Sequence, residues 1–378
     1  MSVAVIGLGR AGLPLAGVIA ESGTYVFGID IDTEKCDMIN SGENPYPDEP
    51  DLDQIIEAYG GDVLYATPSC VPDCGVYVVI VPVGLTPDNK PDFKYLEKAC
   101  RSVGRVLKED DLVIVETTVP VGTTETLVRG WLEDVSGLRL GDFYLAHSPE
   151  RIMAGMAVTR LKTFPKIVGG VDSASGLKAH SFYSGFLPDV RLAPDSRTAE
   201  FTKIAEGTYR DVNIALANEL YVAAATYNID YHEVRRLANH AFCHLHLAGI
   251  GVGGHCVPVY PHFLISDNSI ARPELVEHSR VLNDGMIDYW VTRIMFEIDY
   301  SPEVKVCIHE IGYRPDTAIL TNSRPVVLYH ALKGAGVDVY VHDDLFTPEE
   351  AESLGLRWIE IEDADFVFNP FTLVMDHA

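Results

Sequence analysis

The chain of 378 residues has no run of uncharged apolar residues approaching the roughly eighteen that a membrane-spanning helix requires; its most apolar stretch, residues 76–85, has the length of a buried strand. Nothing basic and no cleavage pattern precedes the strand-like start Met-Ser-Val-Ala-Val-Ile, so neither a signal peptide nor a membrane anchor is expected. Basic residues are scarce: 29 Lys and Arg face 55 Asp and Glu, for a formal net charge of -26. That balance argues against nucleic acid as a partner, because neutralising phosphates takes clustered cations. An anionic small molecule would have to meet cations placed locally. The seven cysteines, at 36, 70, 74, 100, 243, 256 and 307, are odd in number and lack metal-ligand spacing. Cys70 and Cys74 have no second pair to complete a zinc site, so no metal is expected, and reduced thiols in a cytoplasmic protein are the simplest account. Internal repeats and low-complexity segments are also missing.

What is present is an α/β pattern long enough for two or three cores. An apolar strand breaks into Gly7-Leu8-Gly9-Arg10-Ala11-Gly12, a helical stretch runs to Ala20, and a second strand, 25–29, ends at Asp30. Strand, glycine turn, helix, strand and acid within about 30 residues form the dinucleotide-binding fingerprint. In it Gly7 permits the tight bend, Gly9 lets the backbone approach a pyrophosphate, and Gly12 lets the helix pack closely on the sheet. Asp30 can accept from both ribose hydroxyls and would repel a 2'-phosphate, which favours NAD over NADP. Strands at 76–81, 112–115 and 143–146 alternate with helices such as 95–107, as in a parallel sheet covered on both faces. A long helix, 196–228, then opens a helical region, with a further helix at 275–296. A smaller α/β unit follows, with strands at 304–308 and 337–341 and a helix at 325–334. The expected architecture is therefore an N-terminal Rossmann domain at 1–190, a central helical dimerisation region at 191–299, and a short Rossmann-like α/β domain at 300–378.

One further segment carries chemistry. Gly251-Val252-Gly253-Gly254-His255-Cys256-Val257-Pro258 is a glycine-rich turn that delivers a single cysteine. Glycines admit a ligand close to the backbone, and a cysteine held there can serve as a nucleophile, whereas a lone cysteine is by default a packing residue. The neighbouring His255 is read as structural, since adjacent side chains diverge.

The chain resembles the UDP-glucose/GDP-mannose dehydrogenase family along nearly its whole length. The resemblance rests on the opening VAVIGLGRAGLPLA, Glu116-Thr117-Thr118-Val119-Pro120-Val121-Gly122-Thr123, Ser148-Pro149-Glu150-Arg151, Lys203 in AEFTKIAEGTYRDVNIALANEL, and GVGGHCVP around Cys256. The wording of the last two is most similar to the branch acting on UDP-N-acetylmannosamine or a related sugar. The resemblance implies a four-electron, NAD-dependent oxidation of a nucleotide sugar's C6 alcohol to the uronate in a homodimeric enzyme. It assigns Cys256 as the nucleophile of a thiohemiacetal and thioester, Lys203 as oxyanion partner, and Glu150 and Thr118 as groups that orient water and share protons. Pro82 and Thr118 would join the glycine turn at the cofactor, and Glu150, Arg151, Lys203, Gly253 and Gly254 would line the substrate.

The sequence departs from the family's pattern at several of these places. Four residues after the nucleophile, where the family has an aspartate, stands Tyr260, and four after the lysine, in place of an asparagine, stands Gly207. Arginine positions read Phe242 and Thr321, a strand-end glycine reads Glu310, and the usual Val-Pro-Thr-Pro reads Val81-Pro82-Val83-Gly84. The alternative is thus a catalytically degenerate relative that binds NAD or nucleotide sugar in a regulatory or assembly role. A single-step alcohol or 2-hydroxy acid dehydrogenase with Cys256 merely packed is a weaker third reading.

Overall fold

The computed structural model describes residues 2–152 and 155–377. The chain forms two compact units, Met1–Ala205 and Glu206–Ala378. Among the described residues no helix is long and apolar enough to cross a membrane.

The first unit is built on an eight-stranded sheet. Across it the strands run Val190–Leu192, Lys166–Gly170, Tyr144–His147, Leu112–Val115, Val76–Val79, Ser2–Ile6, Tyr25–Ile29 and Leu64–Thr67. Val76–Val79 and Leu112–Val115 are buried at every position, as strands covered on both faces must be. From the central strand Ser2–Ile6 the chain winds outward through Tyr25–Ile29 to Leu64–Thr67, then returns to pair Val76–Val79 with the other side of Ser2–Ile6. This reversal opens a crevice beyond the carboxyl ends of those two strands, where open α/β sheets bind ligands.

Pairing is parallel except between Tyr144–His147 and Lys166–Gly170, where Ala146 opposes Gly170 and His147 opposes Gly169. The alternation of elements predicted no such reversal. Between these strands the described residues include the short helix Ala157–Thr163, whose Val158 and Leu161 join the same core as helix Gly12–Glu21. The strand expected over 76–81 stops at Val79, although the Ile80 N–H still donates to the Ile6 oxygen at 2.9 Å.

The long helix Ser196–Thr226 starts in the first unit and continues into the second. There it is followed by helices Tyr231–Ala238, Tyr260–Ile265 and Glu274–Glu297 and by a four-stranded sheet ordered Asp338–His342, Lys305–His309, Phe366–Phe368, Met375–His377. The last strand is antiparallel and the others are parallel. Trp290, fully buried on Glu274–Glu297, packs with tilted rings on Phe368 of the sheet at 4.8 Å and on Tyr221 of the long helix at 5.8 Å, and so joins the three elements. Buried aromatic pairs of this kind add to the apolar area they remove from water.

Candidate active site

In the first unit the glycine turn sits at the mouth of the crevice. Gly7 has φ +102°, and a Cβ there would lie 2.4 Å from the Ile80 carbonyl oxygen. A Cβ on Gly12 would lie 1.9 Å from the Gly7 oxygen, so only glycine lets the helix start this close to the strand. Gly9 is different: its missing Cβ points into open space, with no atom within 4 Å. Crowding from the protein therefore does not account for Gly9, whereas close approach of a ligand would. Helix Gly12–Glu21 has no side-chain cap and no acidic residue in its first turn; the Leu13 N–H already donates to the Gly9 oxygen at 3.0 Å and Pro14 carries none, so an anion would be met by the N–H groups ahead of Leu13.

Asp30 ends the neighbouring strand with its carboxylate held on three sides. Oδ2 accepts from the Leu8 N–H at 2.8 Å and lies 3.3 Å from Lys35 Nζ, and Oδ1 accepts from the Asp32 N–H at 3.0 Å. The acid thus ties the turn to the strand end and is oriented before any ribose arrives. Nothing in the sequence pointed to Lys35. Pro82 is exposed beyond Val76–Val79, and Thr117 Oγ1 donates to the Val81 oxygen at 2.7 Å, bracing that edge. Thr118 is buried, and its hydroxyl oxygen has no hydrogen-bond partner among the described residues. An orphaned buried hydroxyl is costly unless a bound molecule satisfies it. The open cradle at Gly9, the uncapped helix, the fixed Asp30 and the orphaned Thr118 fit NAD.

Beside this edge Lys203 Nζ lies 3.2 Å from Glu150 Oε1, with both side chains only about an eighth exposed, at 12% and 13%. Its helix context alone would make Lys203 a solvated surface residue; the structure places it in a sheltered ion pair. Glu150 Oε2 accepts from the Ile152 N–H at 2.8 Å, and Arg151 Nη1 donates to the Pro165 oxygen at 3.1 Å. Behind them Lys166 Nζ meets Glu116 Oε2 at 2.5 Å in full burial, and the Tyr183 hydroxyl donates to the other Glu116 oxygen. Burial pushes the Glu116 carboxyl up and the Lys166 ammonium down, and their mutual attraction opposes both shifts.

The second unit holds the glycine-rich turn. Gly251 and Gly254 have φ +110° and +90°, and a Cβ on Gly253 would come within 2.7 Å of the Asn322 oxygen. The Gly254 N–H donates to the Thr321 oxygen at 3.0 Å, and Asn322 Nδ2 returns a bond to the Gly254 oxygen at 3.0 Å. So pinned, the turn leads to Cys256, which is partly exposed. Its carbonyl accepts from the N–H groups of Val259 and Tyr260, both at 3.0 Å, at the start of helix Tyr260–Ile265.

One wall of a cavity of about 460 Å³ is formed by Gly249, Ile250, Gly251 and Gly253. Arg210, Arg235, Arg314 and Arg324 also line it, an unusual concentration in so acidic a chain. His246 also lines it; burial, then Arg210 and Arg235, push its pKa down. The backbone wall is anchored from behind by a buried polar chain. Asn218 accepts from the Gly249 N–H at 2.8 Å and donates to Asn283 Oδ1 at 3.0 Å; Asn283 donates to Asp211 Oδ1 at 2.9 Å, and Arg280 closes on that oxygen at 2.6 Å. The sequence did not reveal these arginines as a set, because they lie up to about a hundred residues apart and no local motif joins them. Of the departed positions, Phe242 is 96% exposed, Thr321 serves through its backbone, and Glu310 adopts φ +71°, a conformation that explains a glycine preference there.

Fold and site together define an NAD-binding dehydrogenase. The sequence matches the UDP-glucose/GDP-mannose dehydrogenase family, NAD binding domain, over residues 1–187 and its central domain over residues 197–285, and the chain belongs to that family. It is 36% identical over 357 residues to a UDP-N-acetyl-D-mannosamine dehydrogenase of Pyrococcus horikoshii, covering 91% of this chain and 83% of that protein. The solved structure of UDP-D-ManNAc dehydrogenase from the same organism superposes with a TM-score of 0.90 at 33% identity, over 98% of this chain and 89% of the other. A UDP-glucose dehydrogenase from Pyrobaculum islandicum superposes with a TM-score of 0.89 at 25% identity, over 98% and 89% of the two chains. Nothing in these comparisons favours the catalytically degenerate alternative.

Proposed function

We propose that this chain oxidises the C6 primary alcohol of a UDP-sugar, UDP-N-acetylmannosamine or a close relative, to the carboxylate, with Cys256 as nucleophile. The observation that carries the proposal is the arginine-lined cavity whose wall is the glycine-rich turn leading to Cys256. Guanidinium groups suit a pyrophosphate because they pair with its oxygens in a planar, two-pronged fashion. NAD, when bound at the first unit's crevice, takes up a hydride in each of the two oxidations. After the first, the substrate carbon is an aldehyde, which cannot lose a second hydride until a nucleophile makes it tetrahedral. The Cys256 thiolate adds to that carbon, and the resulting oxyanion is the charge that Lys203 stabilises. The second oxidation leaves a thioester, which water cleaves to the carboxylate and the free thiol. Glu150 orients and deprotonates that water, Thr118 offers its hydroxyl to the reacting oxygen, and Arg151 holds the segment that carries Glu150.

Residues Phe201, Tyr209, Leu216 and Leu220 of helix Ser196–Thr226 are exposed apolar groups. They support a homodimer packed on that helix; light scattering that returned the single-chain mass would contradict it. The chemistry is tested by NADH yield with a panel of UDP- and GDP-sugars. The wild type should yield two NADH per sugar, and Cys256→Ser no more than one. Two from the serine variant would refute the covalent route, and one from the wild type would indicate a single-step dehydrogenase.

A further inference from the structure

Gly207 and Tyr260 are far apart in sequence yet share one contact. A Cβ on Gly207 would lie 2.8 Å from Tyr260 Cδ2, 3.4 Å from its Cβ and 3.5 Å from its Cγ. The helix Ser196–Thr226 therefore has a notch at Gly207, and the tyrosine ring fills it. The ring is not free to swing aside. Tyr260 is 7% exposed, it packs on Phe263 at 5.9 Å between ring centres, and Pro261 follows it in the first turn of helix Tyr260–Ile265. Its own N–H donates to the carbonyl of Cys256 at 3.0 Å, so the residue that occupies the notch also closes the turn carrying the thiol. Glycine within a helix is unfavourable relative to alanine, and here the ring gives it a reason.

We propose that Tyr260, seated in the notch of Gly207, is a positioning residue for Cys256, and that residues 207 and 260 act as one unit. The proposal rests on the reading of Cys256 as nucleophile. Tyr260 does not need to exchange a proton for this role; the ring's shape holds the first turn of the helix, and the helix holds the cysteine carbonyl. A methyl group at 207 would force the ring out, and in a packed interior such overfilling shifts backbone as well as side chains.

The test uses the full chain as Gly207→Ala, Tyr260→Phe, Tyr260→Ala and the double variant Gly207→Ala with Tyr260→Ala. Two quantities are read: the rate at which iodoacetamide alkylates Cys256, followed by peptide mass spectrometry across a pH series, and kcat and KM for the UDP-sugar and for NAD. Gly207→Ala should change the alkylation rate and kcat by about tenfold or more, with KM for NAD unaltered. Tyr260→Phe, which keeps the ring and its packing, should lose much less than Tyr260→Ala in both. The double variant should be no worse than Tyr260→Ala alone, because without the ring the added methyl meets only the Cβ of residue 260, at an ordinary contact distance of 3.4 Å.

Wild-type alkylation in Gly207→Ala, or single losses that multiply in the double variant, would overturn the proposal. If Gly207→Ala does not fold, Tyr260→Ala against Tyr260→Phe decides, and equal effects of the two on alkylation would overturn it. A Cys256→Ser enzyme that still yields two NADH would remove the nucleophile reading, while the alkylation comparison would still decide whether the pair positions the thiol.

Discussion

Truncating Asn218 to alanine isolates what the buried polar chain does for the cavity wall. Asn218 and Asn283 are both fully buried. The change removes the acceptor of the Gly249 N–H and the donor to Asn283 Oδ1. Each lost bond is worth about 1 kcal/mol net, and a buried partner left unsatisfied costs about 1–3 kcal/mol. Gly249 is partly exposed and can recruit water, whereas Asn283 cannot turn its amide without breaking its bonds to Asp211. The expected total is therefore about 2–4 kcal/mol, which for a unit of this size lowers the melting temperature by roughly 5–15 °C. A Cβ at Gly251 would lie only 2.5 Å from the Asn283 backbone oxygen, so a shift of the helix backbone at Asn283 would reach the cavity wall directly. KM for the sugar nucleotide should rise about tenfold while KM for NAD stays fixed, since one kilocalorie and a half corresponds to about a decade. Thermal melting and steady-state kinetics measure both effects. Asn218→Asp orders the outcomes further: it keeps the acceptor but buries a negative charge against Asn283 Oδ1, and should be worse than alanine. An alanine variant that melts with the wild type and keeps its sugar KM would refute the reasoning.

Two further substitutions separate the glycines of the first turn. Gly12→Ala drives a methyl into the Gly7 carbonyl and should destabilise the first unit outright; Gly9→Ala meets no protein atom, so it should melt within about 2 °C of wild type yet bind NADH at least about tenfold more weakly. Equal melting of the two variants, or unchanged NADH fluorescence titration for Gly9→Ala, would refute that division of roles. Glu200 supplies a pH dependence. Its carboxylate accepts from Gly122 N–H at 2.5 Å and Thr124 N–H at 2.8 Å, but burial outweighs these bonds and raises its pKa from 4.5 to about 7. The folded state thus binds the proton more tightly than the unfolded chain. The stability from this group is full below the ordinary carboxyl range and is lost as pH rises through about 7. Melting temperatures from about pH 5 to 8 should fall more steeply for the wild type than for Glu200→Gln, and parallel profiles would contradict the assignment.

The parts of the fold and site that could be read from sequence are those whose physics is local. The turn from Gly7 to Gly12 is fixed by φ at one glycine and by helix-on-strand crowding at another, within one short segment. Helix 196–228 was expected and Ser196–Thr226 is found, since few breakers interrupt it. The reversed strand Lys166–Gly170 was not legible, because its direction is set by where Val158 and Leu161 find a core. The pairing of Glu116 with Lys166, the chain from Asn218 to Arg280 and the four cavity arginines were hidden for the same reason. Each joins residues that the folded sheet and helices bring together across tens of positions.

The departures from the family pattern acquire a different weight once their contacts are known. Compared residue by residue, Gly207, Tyr260, Phe242 and Thr321 count as four losses. In the folded chain Gly207 and Tyr260 are the two halves of one contact, and either alone would be a defect: tyrosine over a larger residue at 207 would clash, and glycine under a smaller residue at 260 would leave a void. Thr321 holds the glycine-rich turn through its carbonyl, a task indifferent to its side chain. The cations expected at 242 and 321 are matched in kind by arginines already gathered at the cavity, Arg210, Arg235, Arg314 and Arg324. Losses that are independent accumulate in free energy, whereas substitutions in contact are coupled and can cancel. Gly207 and Tyr260 are substitutions in contact, so the two departures count as one change and not as two separate losses.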